Sequence, residues 1–172
     1  TLFTLKKITC FDLDKTLLFT PEPEVGRKIF KDKTGLDYPH SGWWGRRETL
    51  DTNIFDIPLN PWVYNKYLYE ISLDSNMVIL ATGRIEPLRK QVEKLLAENN
   101  LSFEGVHLNT GHDTYVFKTN LFEGYIERYA PDRFTMYDDR QEHLYRFRQW
   151  AKHQKCQIQI VDVINKTDEF FN

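Results

Sequence analysis

The chain has 172 residues, which favours a single domain, and 41% of them are hydrophobic and 15% are aromatic. This composition is typical of a packed globular protein and excludes an intrinsically disordered chain. The net charge of −2 argues against general electrostatic binding of nucleic acid, although local basic patches remain compatible with the sequence. No run of residues approaches the length of a membrane span, and no cysteine–histidine cluster has zinc spacing.

The cysteines and the start of the chain bear on its compartment. Cys10 and Cys156 lie far apart and each falls in a predicted strand, so we expect buried, reduced thiols. The first ten residues, TLFTLKKITC, are too polar and too short for a secretory signal. The sequence therefore predicts an intracellular, cytoplasmic protein that does not enter a membrane.

The first predicted strand ends in a pair of acids. Residues 7–18 read KITCFDLDKTLL, a short apolar run followed by Asp12, Asp14 and Thr16. A β-branched and aromatic run of this length predicts a buried strand of a parallel sheet. The acids then fall at the carboxyl edge of the strand, where open α/β sheets bind ligands.

The rest of the chain alternates between strands and helices after an irregular segment at 19–59. The further predicted strands are 77–81, 106–109, 133–137 and 156–163. The predicted helices are 61–73, one that ends near 98, 118–129 and 142–152. The last residues are polar and are expected to be frayed. This alternation predicts an α/β, Rossmann-like three-layer sandwich with a five-stranded parallel sheet. We expect a core at 1–18 and 60–172, and a small cap at 19–59 that carries a short helix at 24–33.

Polar side chains follow each of the first four predicted strands. They are Asp12 and Asp14, then Thr82, then Lys118, then Asp138 and Asp139. Because the carboxyl ends of parallel strands share one edge of a sheet, we expect these groups to converge. Clustered carboxylates suit Mg²⁺, and a lysine and a hydroxyl beside them suit a phosphoryl group.

These residues match, in order, the four motifs of the haloacid dehalogenase (HAD) superfamily of phosphohydrolases, which the chain resembles. The motifs read Asp12-Leu13-Asp14-Lys15-Thr16, Thr82 in ILATGR, Lys118 in VFKTN, and Asp138-Asp139 in MYDDR. The Gly-Trp-Trp segment that follows the first motif is also similar to the HAD domain of the Swiss Army Knife RNA-repair group. Position 15 departs from many small-molecule phosphatases of the family, which have glycine there, so the backbone freedom of glycine is lost.

The resemblance implies a mechanism. Asp12 would be the nucleophile that forms a phospho-aspartate, and Asp14 would be the general acid and base. The phosphate would be bound by Thr82, Gly83 and Lys118. Mg²⁺ would be held by Asp12, the backbone carbonyl of Asp14, and Asp138 or Asp139.

The cap offers candidate substrate-binding residues. Trp43 and Trp44 lie beside Arg46 and Arg47, a combination that could stack a nucleobase and hold a phosphate. The alternative is that both tryptophan rings form the small core of the cap itself.

We expect a phosphatase that acts on a nucleotide or on a nucleic-acid end. A phosphatase of a small phosphorylated metabolite and a non-catalytic module that binds phosphate or an RNA end remain alternatives. A signalling receiver domain also uses aspartate, Mg²⁺, threonine and lysine on a parallel sheet. Receivers place the paired acids and the phosphorylated aspartate on different strands, so the Asp-x-Asp spacing favours a hydrolase.

Overall fold

The computed structural model describes residues 5–172; residues 1–4, which the sequence prediction places in the core, lie outside the described residues. Its strands are β1 (Lys7–Phe11), β2 (Asn76–Ile85), β3 (Gly105–Asn109), β4 (Arg133–Asp138), β5 (Gln157–Asp162) and β6 (Thr167–Phe171). They form one sheet in the order β3-β2-β1-β4-β5-β6. The first five strands are parallel, as predicted, and β1 lies between β2 and β4.

The predicted count of five strands is wrong at the end of the chain. Residues 167–171, expected to be frayed, form β6, which pairs antiparallel with β5 from Asp162↔Thr167 to Ile158↔Phe171. A carboxylate organises the turn between them, because Asp162 Oδ1 accepts the backbone amides of Ile164 and Asn165, each at 3.0 Å. An edge strand can be rich in charged residues, so the sequence of β6 lacks the apolar run from which the other strands were predicted.

Helices cover both faces of the sheet, as a three-layer sandwich requires. They are α1 (Pro23–Thr34), α2 (Pro61–Ser72), α3 (Arg89–Glu98), α4 (Thr114–Tyr129) and α5 (Gln141–Ala151), with short 3₁₀ helices at Arg47–Leu50 and Glu86–Leu88. The side chains of β1 alternate between two cores: Phe11 packs with α2 and α3, whereas Ile8 and Cys10 pack with α4 and α5. β1 is therefore buried on both sides, and the position of its carboxyl end is tightly fixed.

The segment at 19–59 leaves and rejoins the core at one place. Leu18 pairs with Leu59, and the backbone amide of Phe19 donates to the carbonyl of Pro58 at 2.8 Å. We call this segment the insert. Its apolar residues belong to the same hydrophobic cluster as α2 and α3, so the insert packs on that face of the sheet.

Two element boundaries that matter for the site differ from the prediction. α4 begins at Thr114 because the side chain of Asp113 caps it by accepting the amide of Val116 at 3.2 Å. Lys118 therefore lies in the second turn of the helix and not at its start. β2 continues past residue 81 to Ile85, with a register shift at its end, so Thr82 belongs to the strand. Within residues 5–172, no helix combines the length and apolar character needed to cross a bilayer.

Candidate active site

Asp12 lies one residue beyond β1, where the sheet still holds its backbone. Its amide donates to the carbonyl of Tyr137 on β4 at 3.1 Å. Its two carboxylate oxygens have different partners: Oδ1 accepts the Lys118 ammonium at 2.9 Å, and Oδ2 accepts the Thr16 hydroxyl at 3.1 Å. Asp12 is 8% exposed, so its carboxylate is nearly removed from bulk water.

Three carboxylates meet at this edge. Asp12, Asp138 and Asp139 each offer an oxygen, and these oxygens lie within 4.8 Å of one another. All three residues are buried. Lys118 bridges the group, because its Nζ also donates to Asp138 Oδ2 at 2.9 Å. The structure thus brings together the nucleophile, lysine and acidic pair that the sequence predicts.

The charges in this cluster do not balance. Burial is the largest influence on Asp12 and raises its pKa well above the ordinary value; the neighbouring carboxylates raise it further, against the opposing effect of Lys118. Burial likewise raises the pKa of Asp139. For Lys118 burial lowers the pKa, but Asp12 and Asp138 outweigh it, so the ammonium stays charged. One ammonium beside three carboxylates is an environment that favours a further cation.

The side chain of Asp14 stands apart from the three acids. Two nitrogens of Arg84 donate hydrogen bonds to its carboxylate, Nη2 to Oδ1 at 2.8 Å and Nε to Oδ2 at 3.1 Å. The Thr20 hydroxyl also donates to Oδ1, at 2.6 Å. Burial raises the pKa of Asp14, but the charge and hydrogen bonds of Arg84 outweigh it and lower the pKa overall. The carboxylate form of Asp14 is therefore favoured in the free protein, and its role as acid and base stays a prediction. The predicted metal contact of Asp14 through its carbonyl stays a prediction.

Thr82 and Gly83 lie at the end of β2, beside β1. Thr82 is fully buried, and its hydroxyl accepts the amide of Arg84 at 3.1 Å. At Gly83 an added Cβ would come 2.7 Å from Thr114 Oγ1, the first residue of α4. Glycine therefore lets β2 and α4 approach closely. The role of this pair in phosphate binding stays a prediction.

The structure separates the two tryptophans of the insert. Trp43 is buried against Phe55, and its indole N–H donates to the carbonyl of Pro21 at 3.0 Å, so this ring belongs to the core. Trp44 is 39% exposed, and its ring lies 5.0 Å from the guanidinium carbon of Arg84. The core alternative thus holds for Trp43 only, and Trp44 is the tryptophan that borders the site. Arg46 and Arg47 are exposed beside it.

Sequence reasoning missed Arg84, although a signal for it existed. The residue follows Thr82-Gly83 directly, at the sheet edge where a second acid of the first motif needs a cation. Thr16 was visible in that motif without a role, and the structure shows its hydroxyl 3.1 Å from Asp12 and 3.4 Å from Asp139. Thr20 had no signal, because its contact with Asp14 depends on the turn after β1.

Comparison with solved structures finds the same fold. The chain superposes with a TM-score of 0.57 and 20% identity on a chain of the Pnkp1/Rnl/Hen1 RNA repair complex, over 85% of this chain and 40% of that one. It superposes with a TM-score of 0.53 and 15% identity on a haloacid dehalogenase-like hydrolase family protein, SP0104 from Streptococcus pneumoniae, over 91% and 84%. The chain spans less than half the length of the first of these. None of the curated proteins compared matches the chain.

The strand order, with acids where β1 and β4 end, defines an α/β domain of the HAD type. The model of a family described as "HAD domain family 1 in Swiss Army Knife RNA repair proteins" matches residues 28–170, so the chain belongs to that family. The matched range contains Thr82, Lys118, Asp138 and Asp139. It begins after Asp12 and Asp14, whose place in the site is given by the geometry above.

Proposed function

We propose that the chain is a Mg²⁺-dependent phosphohydrolase that acts through a phospho-aspartate on Asp12. The observation that carries the proposal is the cluster of Asp12, Asp138 and Asp139, with oxygens within 4.8 Å and one lysine between them. The edge of the sheet holds this cluster rigidly, and phosphoryl transfer needs mainly positioning and charge stabilisation.

Each reacting side chain has a stated task. An oxygen of Asp12 attacks phosphorus, a P–O bond forms to the carboxylate, and the bond from phosphorus to the leaving oxygen breaks. Arg84 lowers the pKa of Asp14 in the free protein, but an anionic phosphate beside Asp14 would raise it again. A protonated Asp14 then gives its proton to the leaving oxygen and later takes one from the water that hydrolyses the intermediate, which restores Asp12. Lys118 holds Asp12 in place and offsets the negative charge of the incoming phosphate.

The residues present fit Mg²⁺. Their donor set consists of hard carboxylate oxygens from three buried side chains, with Lys118 as the one ammonium bonded to them among the described residues. Asp12 and one or both of Asp138 and Asp139 would hold the ion, together with the carbonyl of Asp14. When bound, Mg²⁺ would reduce the repulsion between these carboxylates and an anionic phosphate.

The substrate we propose is a phosphorylated nucleotide or nucleic-acid end. Trp44 offers an exposed ring at the border of the site, and Arg46 and Arg47 are exposed next to it along the chain. A ring of this kind stacks any base, and adjacent arginines suit a phosphate backbone. Membership of a family of RNA repair domains, and the likeness to a chain of an RNA repair complex, support the same substrate class.

A phosphatase screen tests the proposed activity. Wild type, Asp12→Asn and Asp37→Asn would be assayed with Mg²⁺ and with EDTA on p-nitrophenyl phosphate, nucleotides, sugar phosphates and 3′- or 5′-phosphorylated oligonucleotides. Asp37 is a matched control, because its side chain is 85% exposed and pairs only with Lys31 in the described part of the chain. We expect Mg²⁺-dependent release of phosphate by wild type and Asp37→Asn, and none by Asp12→Asn.

The same screen separates the alternatives. Turnover of sugar phosphates alone would replace the nucleic-acid substrate with a small metabolite. Binding of oligonucleotide ends without any turnover would contradict the proposed activity and favour a binding module.

Trp44→Ala tests the substrate class. Loss of one stacked base costs about 1–3 kcal/mol, so we expect kcat/KM for oligonucleotides to fall about 5- to 150-fold. Turnover of a small alkyl phosphate should change little, because such a substrate has no base to stack. An equal loss on both substrates would contradict the stacking role.

A further inference from the structure

Arg84 joins the proposed acid and base to the insert. Its guanidinium side chain is 1% exposed, so every N–H must find a partner within the protein. Nε and Nη2 face Asp14, at 3.1 and 2.8 Å from its oxygens. Nη1 faces the insert, at 2.8 Å from the carbonyl of Trp44 and 2.6 Å from the hydroxyl of Thr49.

The two sides of this link cannot move independently. A guanidinium is planar and rigid, and its N–H groups have a fixed fork geometry. A rotation that follows Trp44 and Thr49 therefore also moves the two nitrogens that hold Asp14. Thr20, the second residue of the insert, also donates directly to Asp14 at 2.6 Å, but Arg84 is the only cation paired with that carboxylate among the described residues.

The contacts that Arg84 makes with the insert are themselves well defined. Thr49 is fully buried, and its hydroxyl donates to the carbonyl of Arg46 at 2.7 Å while it accepts from Arg84. The ring of Trp44 covers the guanidinium and is partly open to solvent. A molecule that contacts Trp44 thus touches the outer end of a connection that runs inward to Asp14.

We propose that Arg84 is a positioning residue: it makes the orientation of the Asp14 carboxylate depend on the position of the insert. The inference rests on the proposed function, in which Asp14 protonates the leaving oxygen. Misalignment of an acid or base by about 1 Å costs on the order of 100-fold in rate. A small displacement of the insert is therefore enough to change turnover, although within the described residues the side chain of Asp12 is hydrogen-bonded to Thr16 and Lys118 and not to the insert.

Thr49→Val tests the link, because it removes the hydroxyl and keeps the shape of the side chain. We expect kcat/KM for an alkyl phosphate, which reports the steps up to departure of the leaving oxygen, to fall about 10- to 100-fold. The kcat/KM for p-nitrophenyl phosphate should fall far less, because its leaving oxygen needs little help from an acid. Thr49→Ser keeps both hydrogen bonds and should restore turnover. In an Asp14→Asn background, Thr49→Val should have no further effect on kcat/KM.

The matched control is Thr135→Val. Thr135 is also fully buried, and its hydroxyl donates at 2.9 Å to Gln159 on the neighbouring strand β5. Thr135→Val should change stability without changing the ratio of the two kcat/KM values. An equal loss on both substrates in Thr49→Val, or the same loss in the Asp14→Asn background, would overturn the proposal.

A second measurement is independent of turnover. Urea unfolding of wild type, Thr49→Val, Asp14→Asn and the double variant should show non-additive losses of stability, because both residues act through one guanidinium. Additive losses would overturn the proposal. If wild type hydrolyses no phosphate ester, the proposed function fails, and this unfolding cycle alone decides whether Arg84 couples the insert to Asp14.

Discussion

Replacing Lys118 with methionine removes the ammonium group that separates the buried acids. The Lys118 side chain is 3% exposed, and its Nζ lies 2.9 Å from both Asp12 and Asp138. Methionine is of similar length and apolar, so the loss is electrostatic and creates little cavity. Removing one partner of a buried ion pair costs roughly 3–5 kcal/mol, a large part of the 5–15 kcal/mol that stabilises a typical domain.

Urea unfolding in EDTA at pH 7 measures this loss. We expect Lys118→Met to lose about 3 kcal/mol, and the loss to shrink at lower pH because protonation neutralises the acids. Added Mg²⁺ should also reduce it, since the acids of the variant lack the competing ammonium and should bind the cation more tightly than those of wild type. Lys94→Met is the control: this side chain is 69% exposed and lies 3.8 Å from Glu98, so its loss should stay below about 0.5 kcal/mol. Equal losses in the two variants would refute the reasoning.

Three further substitutions test local parts of the fold. Lys15 has a φ of 61°, in the left-handed region, so Lys15→Gly should be about 1 kcal/mol more stable in urea than Lys15→Ala; equal stabilities would contradict this strain. A Cβ at Gly26 would overlap the ring of Trp43, so Gly26→Ala should lower the free energy of unfolding by about 1–3 kcal/mol. Gly124 on α4 faces open space, so Gly124→Ala should raise it by roughly 0.5–1 kcal/mol. Thermal shifts of the same sign in the two variants would contradict this packing. Burial raises the pKa of Asp162, but its hydrogen bonds lower the pKa by more. The stabilisation that this carboxylate gives the folded protein is therefore complete above the ordinary aspartate pKa of about 4, and it is lost as the pH falls through the lowered pKa of the folded state. The difference in free energy of unfolding between wild type and Asp162→Asn should therefore be about 1–2 kcal/mol at pH 7 and shrink below about pH 4, and a constant difference would contradict this assignment.

The sequence predicted the parts of the site that depend on the sheet. Asp12 follows a buried apolar strand, and Asp138 follows another, so parallel pairing alone brings them to one edge. Lys118 was identified by motif order, and the structure places its ammonium between these two acids. These features follow from strand periodicity and topology, which a single sequence contains.

The parts that were missed depend on side-chain directions in irregular backbone. Trp43 and Trp44 are adjacent in a segment without periodicity, so nothing in the sequence indicated which ring was buried. The contacts of Arg84 with Trp44 and Thr49 could not be predicted, because both partners come from that same segment. The contact depends on how the insert packs on the sheet.

The claim that Asp12 is the nucleophile is tested most directly by trapping the phosphorylated enzyme. Asp14→Asn keeps Asp12 and lacks the base that activates water, so the intermediate should accumulate. The variant would be mixed with Mg²⁺ and p-nitrophenyl phosphate that carries a radiolabelled phosphate, because this leaving oxygen needs little help from an acid and Asp12 can still be phosphorylated. The sample would then be quenched in acid and digested for peptide mapping. We predict label on the peptide that contains Asp12, and none when Asp12→Asn is added to the same variant. Label on another peptide, or phosphate release by wild type without labelled protein in Asp14→Asn, would contradict the account.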